Sequence, residues 1–160
     1  MSIKNKVIGS AVAGALAISV PFLNEYEGVE YRPYKDVAGV WTVCAGITGS
    51  DVVLGKVYTQ RECDALLVKH LSIHQKAVDS ALKVDVPVST RAALYSLSFN
   101  IGANAMRKST VIRRMNSGDL KGGCNAFSMW NKITVNGKKV VSKGLVNRRN
   151  GEIELCLKEL

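Results

Sequence analysis

Acidic residues are scarce in this 160-residue chain: 13 Asp and Glu stand against 22 Lys and Arg, a formal net charge of +9. Proline occurs three times and aromatic residues make up 6%. There is no internal repeat, no glycine-rich phosphate loop and no Cys-x-x-Cys pair. These absences remove repeat architectures, phosphate-loop nucleotide binding and paired-cysteine metal motifs. Few prolines and only 14 glycines exclude a low-complexity or collagen-like chain. What is present is an apolar set at 47% and charged residues at 22%, enough for one domain with its own core. Such a composition argues against disorder. The acid deficit points to an anionic partner: nucleic acid, a membrane surface or a cell-wall polymer.

Long apolar runs are also rare, with one exception near the N-terminus. Lys4 and Lys6 precede VIGSAVAGALAISVPFL, which runs from Val7 to Leu23 without a charge and ends at Asn24-Glu25. A positive flank followed by an apolar run resembles an export segment, with the lysines held in the cytoplasm. Ala15-Leu16-Ala17 offers a cleavage-type match. A permanent span needs about 20 apolar residues, so this run is short for one. Its alanines, glycines and serines favour lipid only weakly, which suits an anchor able to leave the bilayer. The plain alternative is a buried N-terminal helix. The expected division is 1–24 as an N-terminal anchor and 25–160 as a folded domain carrying +7 of the charge.

Residues 27–46 read EGVEYRPYKDVAGVWTVCAG. Glu27 and Asp36 are nine apart, which on one helix turns through about 900° and sets them on opposite faces. They meet at one site only if the chain breaks between them, and Gly28 and Pro33 supply breaks. A short helix from Pro21, capped by Gly28, followed by a hairpin over Tyr34–Val43 with Ala38-Gly39 near its turn, is the expected arrangement. Trp41 and Val43 are expected on one face and Thr42 on the other. Two carboxylates flanking a cleft can hydrolyse a glycosidic bond if one is protonated and the other ionised. Burial is expected to raise Glu27, while a wetter setting keeps Asp36 ionised.

The pattern E-G-x5-Y-x-D-x2-G-x2-T, formed here by Glu27, Gly28, Tyr34, Asp36, Gly39 and Thr42, resembles the T4-type phage lysozymes of glycoside hydrolase family 24. FNIGANAMRKSTVIRRMNSGD (99–119) and GLVNRRNGEIELC (144–156) are similar to two further segments of that family. Within it, the weak apolar run and the cysteines resemble the signal-anchor-release endolysins. The resemblance implies an α+β, lysozyme-like fold: a small lobe with a β-hairpin, a larger helical lobe, and an apolar anchor helix in front. It implies a muramidase that cleaves the β-1,4 bond from N-acetylmuramic acid to N-acetylglucosamine in peptidoglycan, with Glu27, Asp36 and Thr42 as catalytic residues and no cofactor or metal. It also implies a monomer held at the host inner membrane through residues 7–23 and activated on release into the periplasm. A membrane-imposed block is inferred, so that exchanging the anchor for a cleavable signal is expected to yield active enzyme. The family commonly has T-x-G-x-G; here Cys44 and Ala45 replace a glycine and a larger side chain, Ile47 stands for a frequent His, and Asn104 and Met106 for Gly and Phe.

The remaining signals are structural. Thr59-Gln60-Arg61-Glu62 is a capping box for a helix to about Leu82, with Ala65, Leu66, Leu71 and Val78 inside. His70 and His74 share a helix face, but a third ligand for a metal is not evident. Ser89-Thr90, Ser109 or Thr110, and Asp119 open further helices, the last expected through Trp130; Asn136-Gly137 marks a turn. A closing helix holds Leu145, Ile153 and Leu155, with Arg148 and Glu152 an i, i+4 pair that the resemblance makes buried. Four cysteines allow three pairings; in an oxidising compartment the local pairs Cys44–Cys63 and Cys124–Cys156 are expected. Two rival classes, a nucleic-acid-binding domain and a non-catalytic peptidoglycan-binding module, fare worse: the basic pairs are scattered, and an export segment argues against nucleic acid.

Overall fold

The computed structural model describes residues 3–36 and 38–160, with side chains from Gly9 onward. The side chains of Lys4 and Lys6, and Val37 in the hairpin loop, lie outside the described residues. The first element is a single helix, α1 (Ile3–Glu27), not a short one beginning at Pro21. Pro21 lies inside it and leaves one carbonyl without its helical donor. Packing outweighs that loss: Ala15, Ser19 and Leu23, four residues apart, are fully buried. The Ser19 hydroxyl donates to Ala15 O at 2.7 Å and lies 3.3 Å from Ala92 O of the next helical layer. Gly28, at φ +71°, ends the helix, and its N–H donates to Asn24 O at 3.1 Å.

The small lobe is an antiparallel sheet in the order β1 (Glu30–Lys35), β2 (Trp41–Cys44), β3 (Ile47–Thr48). Tyr34 pairs with Thr42 and Lys35 with Trp41. Alternation does not set burial here, since Thr42 and Val43 are both buried and Trp41 is exposed. Val43, Cys44, Ile47, Tyr58 and Cys63 form a small core of their own.

The larger lobe surrounds α3 (Val88–Ile101), whose residues Ser89 to Ser98 are all buried. A helix buried on every side belongs at the centre of a bundle. It starts just after Pro87, slightly earlier than Ser89-Thr90. Against it pack α1, α2 (Gln60–Ala81) and α7 (Lys143–Leu157). The capping box of α2 is formed in full. Its buried face runs through Cys63, Leu67, Leu71, Ala77 and Val78; Ala65 faces solvent and Leu66 packs on the small core. Leu71 and Val78 are buried as expected, while Cys63 and Leu67 take the inward positions expected for Ala65 and Leu66; Cys63 is bonded to Cys44 of β2. Short helices α4 (Ala103–Arg107), α5 (Thr110–Asn116, capped by Ser109) and α6 (Leu120–Asn125, capped by Asp119) follow. The α6 segment gives way to a 3₁₀ turn at Ala126–Met129 rather than continuing to Trp130. The Asn136-Gly137 turn joins two strands, β4 (Lys132–Val135) and β5 (Lys138–Val141), both residues of the turn at positive φ. The second disulfide, Cys124–Cys156, ties α6 to α7. Both local pairings expected in an oxidising compartment are present. Among the described residues, no helix is long and apolar enough to cross a membrane.

The Lys56 ammonium, the Thr59 N–H and the Thr59 hydroxyl hold the Glu62 carboxyl at about 2, against an ordinary 4.5. A carboxyl lowered on folding stabilises fully above its unfolded value, and that contribution disappears as pH falls through 4.5 to about 2. Urea unfolding across that range should show the midpoint dropping with acid, with a shallower drop in Glu62→Gln; parallel curves would contradict this.

Candidate active site

The last side chain of α1 is Glu27, separated from β1 by Gly28 and Val29. Its Oε1 accepts from Arg148 Nη1 of α7 at 2.5 Å. The apolar burial expected around this carboxyl is absent: its side chain is 26% exposed and its neighbour is a guanidinium. Among the described residues, Oε2 has no hydrogen-bond partner.

Arg148 is itself held. Its Nε donates to Glu152 Oε1 at 3.2 Å, and that oxygen also accepts from the Ser96 hydroxyl at 2.6 Å. Arg149 Nε lies 2.7 Å from Glu152 Oε2, while its Nη2 donates to Asn100 at 3.1 Å. Glu152 is fully buried; desolvation pushes its carboxyl up against the pull of Arg149, Ser96 and Arg148. The expected i, i+4 pair is therefore real and buried, but it is one edge of a larger network. Sequence reading missed the part played by Arg149, Ser96 and Asn100, because serine and asparagine on a helix carry no spacing signal of their own.

Asp36 and Thr42 lie on the β1–β2 hairpin and share one partner. Asp36 Oδ1 accepts from the Ala38 and Val40 N–H groups, both at 2.9 Å, and Thr42 Oγ1 donates to Val40 O at 3.1 Å. The Asp36 N–H also donates to Val40 O, at 3.0 Å. The loop thus fixes the carboxylate through its own backbone, and the buried Thr42 hydroxyl has spent its proton but retains acceptor capacity. The structure joins Asp36 and Thr42 in one hairpin and joins Glu27 to α7; Gly28 and Val29 connect the two groups.

Neither histidine is set up as a ligand pair. His70 Nε2 meets Asp51 at 2.9 Å and His74 Nδ1 meets Ser98 at 3.1 Å. Among the described residues, no cluster of three or more His, Cys, Asp or Glu side chains suits a metal. The departures from the family pattern are mostly internal: Cys44, Ala45, Ile47 and Met106 are buried, and Asn104 accepts from Arg107. Four of the five therefore act on packing, while Asn104 is exposed.

Residues 24–152 match the family model for phage lysozyme. The chain belongs to the phage lysozyme family. It is accordingly a glycoside hydrolase, an endolysin of the muramidase class. It is similar to the SAR-endolysin of Enterobacteria phage P21, 44% identical over 162 residues and covering 98% of this chain and 96% of that one. Among solved structures it resembles the endolysin of Escherichia coli O157:H7 phage FAHEc1 at TM-score 0.82, with 36% identity over 89% of this chain and 92% of the other. The active form of the P1 phage endolysin Lyz matches at TM-score 0.74, with 27% identity over 86% and 82%.

One feature of this lysozyme joins α1 to the network from below. The Tyr26 ring stacks on Phe22 at 5.0 Å and lies 5.8 Å from the Arg148 guanidinium. Its hydroxyl rests against Gly151, where an added Cβ would lie 2.1 Å from the oxygen. Glycine inside a helix costs about 1 kcal/mol relative to alanine. Here that cost gives Tyr26 its seat. Gly151→Ala should displace the ring and slow cell-wall clearing roughly threefold to tenfold, the worth of a cation–π contact. Adding Tyr26→Phe, which removes the obstructed oxygen, should recover much of the rate; a double variant no better than the single one would count against this.

Proposed function

We propose that this lysozyme hydrolyses the β-1,4 bond between N-acetylmuramic acid and N-acetylglucosamine in peptidoglycan, and that it is exported, tethered through residues 7–23 and activated on leaving the bilayer. The observation that carries the first part is the position of Glu27. It sits at the end of a core helix, clamped by Arg148, immediately before a hairpin that presents Asp36 and Thr42. Glu27, through Oε2, delivers a proton to the glycosidic oxygen as the C1–O bond breaks. Asp36 faces the positive charge that develops at C1. Thr42 accepts from a water whose oxygen bonds to C1, and the water's surplus proton returns the acid to its starting state. The backbone donors on Asp36 preorganise its carboxylate, so little reorganisation is needed during the reaction.

The burial of α1 supports the second part. Ala15, Ser19 and Leu23 lie in the core against α3, and a helix in lipid cannot occupy that place. While residues 7–23 are in the membrane, the core lacks one wall and Glu27 is drawn away from Arg148. The block is therefore a missing core helix as much as an occluded cleft. This reverses one expectation: a cleavable signal put in place of residues 7–23 removes Ala15, Ser19 and Leu23 from the fold and should yield poorly active protein. The same signal fused ahead of the intact chain should yield enzyme active on export.

Glu27→Gln should be exported and folded as wild type, with unchanged circular dichroism, while turbidity of permeabilised cells stays flat. Substantial clearing by that variant would refute the role of Glu27. A fully active protein lacking residues 7–23 would instead refute the role of α1.

A further inference from the structure

Between Asp119 and Glu152 the sequence contains no acidic residue, yet it contains seven Lys and Arg. The β4–β5 hairpin lies in the middle of this stretch, and all eight of its strand residues are exposed. The register sorts them into two unlike faces. Ile133 pairs with Val140 and Val135 with Lys138 on one face; Lys132 pairs with Val141 and Thr134 with Lys139 on the other. One face is thus mostly branched aliphatic, and its opposite is mostly cationic and polar.

A two-stranded ribbon wet on both sides gains little from burial and is marginal alone. Here its base is closed by Ser142 N–H donating to Asn131 O at 2.9 Å, so the ribbon is held out from the body. Ile133, Val135 and Val140 contribute nothing to the core, and lysines beside them are not needed for any internal ion pair among the described residues. Sugar-binding surfaces present flat aromatic rings and hydrogen-bonding side chains. The strands have no aromatic residue. Branched aliphatics beside ammonium groups match the boundary between headgroups and acyl chains of an anionic bilayer, where lysines meet phosphate and the aliphatic face enters shallowly.

We propose that the β4–β5 hairpin is a peripheral docking element for an anionic phospholipid surface, separate from the α1 segment. It holds the released enzyme close to the bilayer it has just left, at the inner boundary of its substrate layer. The lipid contact itself rests on charge and register; its place beside the bilayer just left rests on the proposed release.

The test is vesicle flotation with the full-length protein. Vesicles of phosphatidylglycerol and phosphatidylethanolamine are compared with pure phosphatidylcholine, at low and high salt. Wild type, Lys138→Glu/Lys139→Glu, Ile133→Ser/Val140→Ser and a charge-matched control, Lys76→Glu/Lys108→Glu, all keep α1, so its own lipid affinity cancels. Both hairpin variants should partition at least about tenfold more weakly onto the anionic vesicles, and the control should not. Salt should weaken wild type toward the level of the lysine variant. Circular dichroism and cell-wall clearing should match wild type, because no hairpin side chain is in the core. Equal partitioning of hairpin variants and wild type would overturn the proposal, as would an equal loss in the control. Retained vesicle binding with lost sedimentation on purified sacculi would overturn it in favour of a wall contact.

Discussion

Glu152 has no exposed surface, and it lies 3.2 Å from Arg148 Nε and 2.7 Å from Arg149 Nε. Two guanidinium groups and a carboxylate in an interior are costly to desolvate, and replacing the set with apolar residues often costs nothing in stability. Their value here is positional. Arg148 reaches from Glu152 to Glu27, so the orientation of a surface carboxylate is set from inside the helical lobe. Arg149 extends the same anchor to Asn100 at the end of α3 and to Trp130 O. Removing one member leaves uncompensated charge in the core, worth about 3–5 kcal/mol, which couples the active-site geometry to the integrity of the fold.

The α1 helix connects that interior to the N-terminal segment. Its inward side uses small residues: a Cβ on Gly14 would meet Val88 at 3.2 Å, and Ala15 and Ser19 sit directly against α3. Small side chains allow close helix approach, and they are the same residues that make the segment a poor occupant of lipid. One composition would therefore serve both the core and the proposed tethered state. A leucine-rich segment would favour the bilayer and would not fit beside α3; a charged one would fit neither. The bond from Ser19 to backbone oxygens satisfies its hydroxyl inside the helix pair, where nothing else would.

Much of this was legible in the residues. The capping box at Thr59 and the caps at Ser109 and Asp119 are legible as local patterns, because their physics is local; the E-G…D…T spacing is legible only as a family resemblance. The cysteine pairing does not follow from the sequence, which allows three; the expected local pairs are the ones present. What failed was whatever tertiary packing decides. Proline at 21 marks a helix start by local rules, yet the helix runs through it because Ala15, Ser19 and Leu23 on either side of it are buried in the core. Ala65 and Leu66 are expected inside, but the buried face of α2 runs through Cys63, Leu67 and Leu71, with Ala65 exposed and Leu66 on the small core. The β4–β5 hairpin had its signal in full, Asn-Gly between Thr-Val and Lys-Lys-Val-Val, and was read as a turn without strands because lysine weakens the alternation. For the proposed catalytic residues, the identities come from the family resemblance; the link from Glu27 into the α7 network needed the fold.

Cys44 shows how a departure from a family pattern can be reconciled physically. The family commonly has glycine there, and the backbone at Cys44 has φ +55°, a conformation glycine adopts freely and other residues enter at a cost of about 1–2 kcal/mol. Cysteine accepts that cost because its side chain is bonded to Cys63. The bridge fastens the end of β2 to the first turn of α2, which is also the turn stabilised by Thr59, Glu62 and Lys56. Thr42 is two residues before Cys44 on the same strand. The hairpin that carries Asp36 and Thr42 is thereby pinned at one end by covalent chemistry, as Glu27 is pinned by Arg148 from the other lobe. In a reducing compartment the first pin is missing, so under the proposed export route oxidation and the docking of α1 would converge on the same requirement, a site fixed on both sides only outside the cytoplasm.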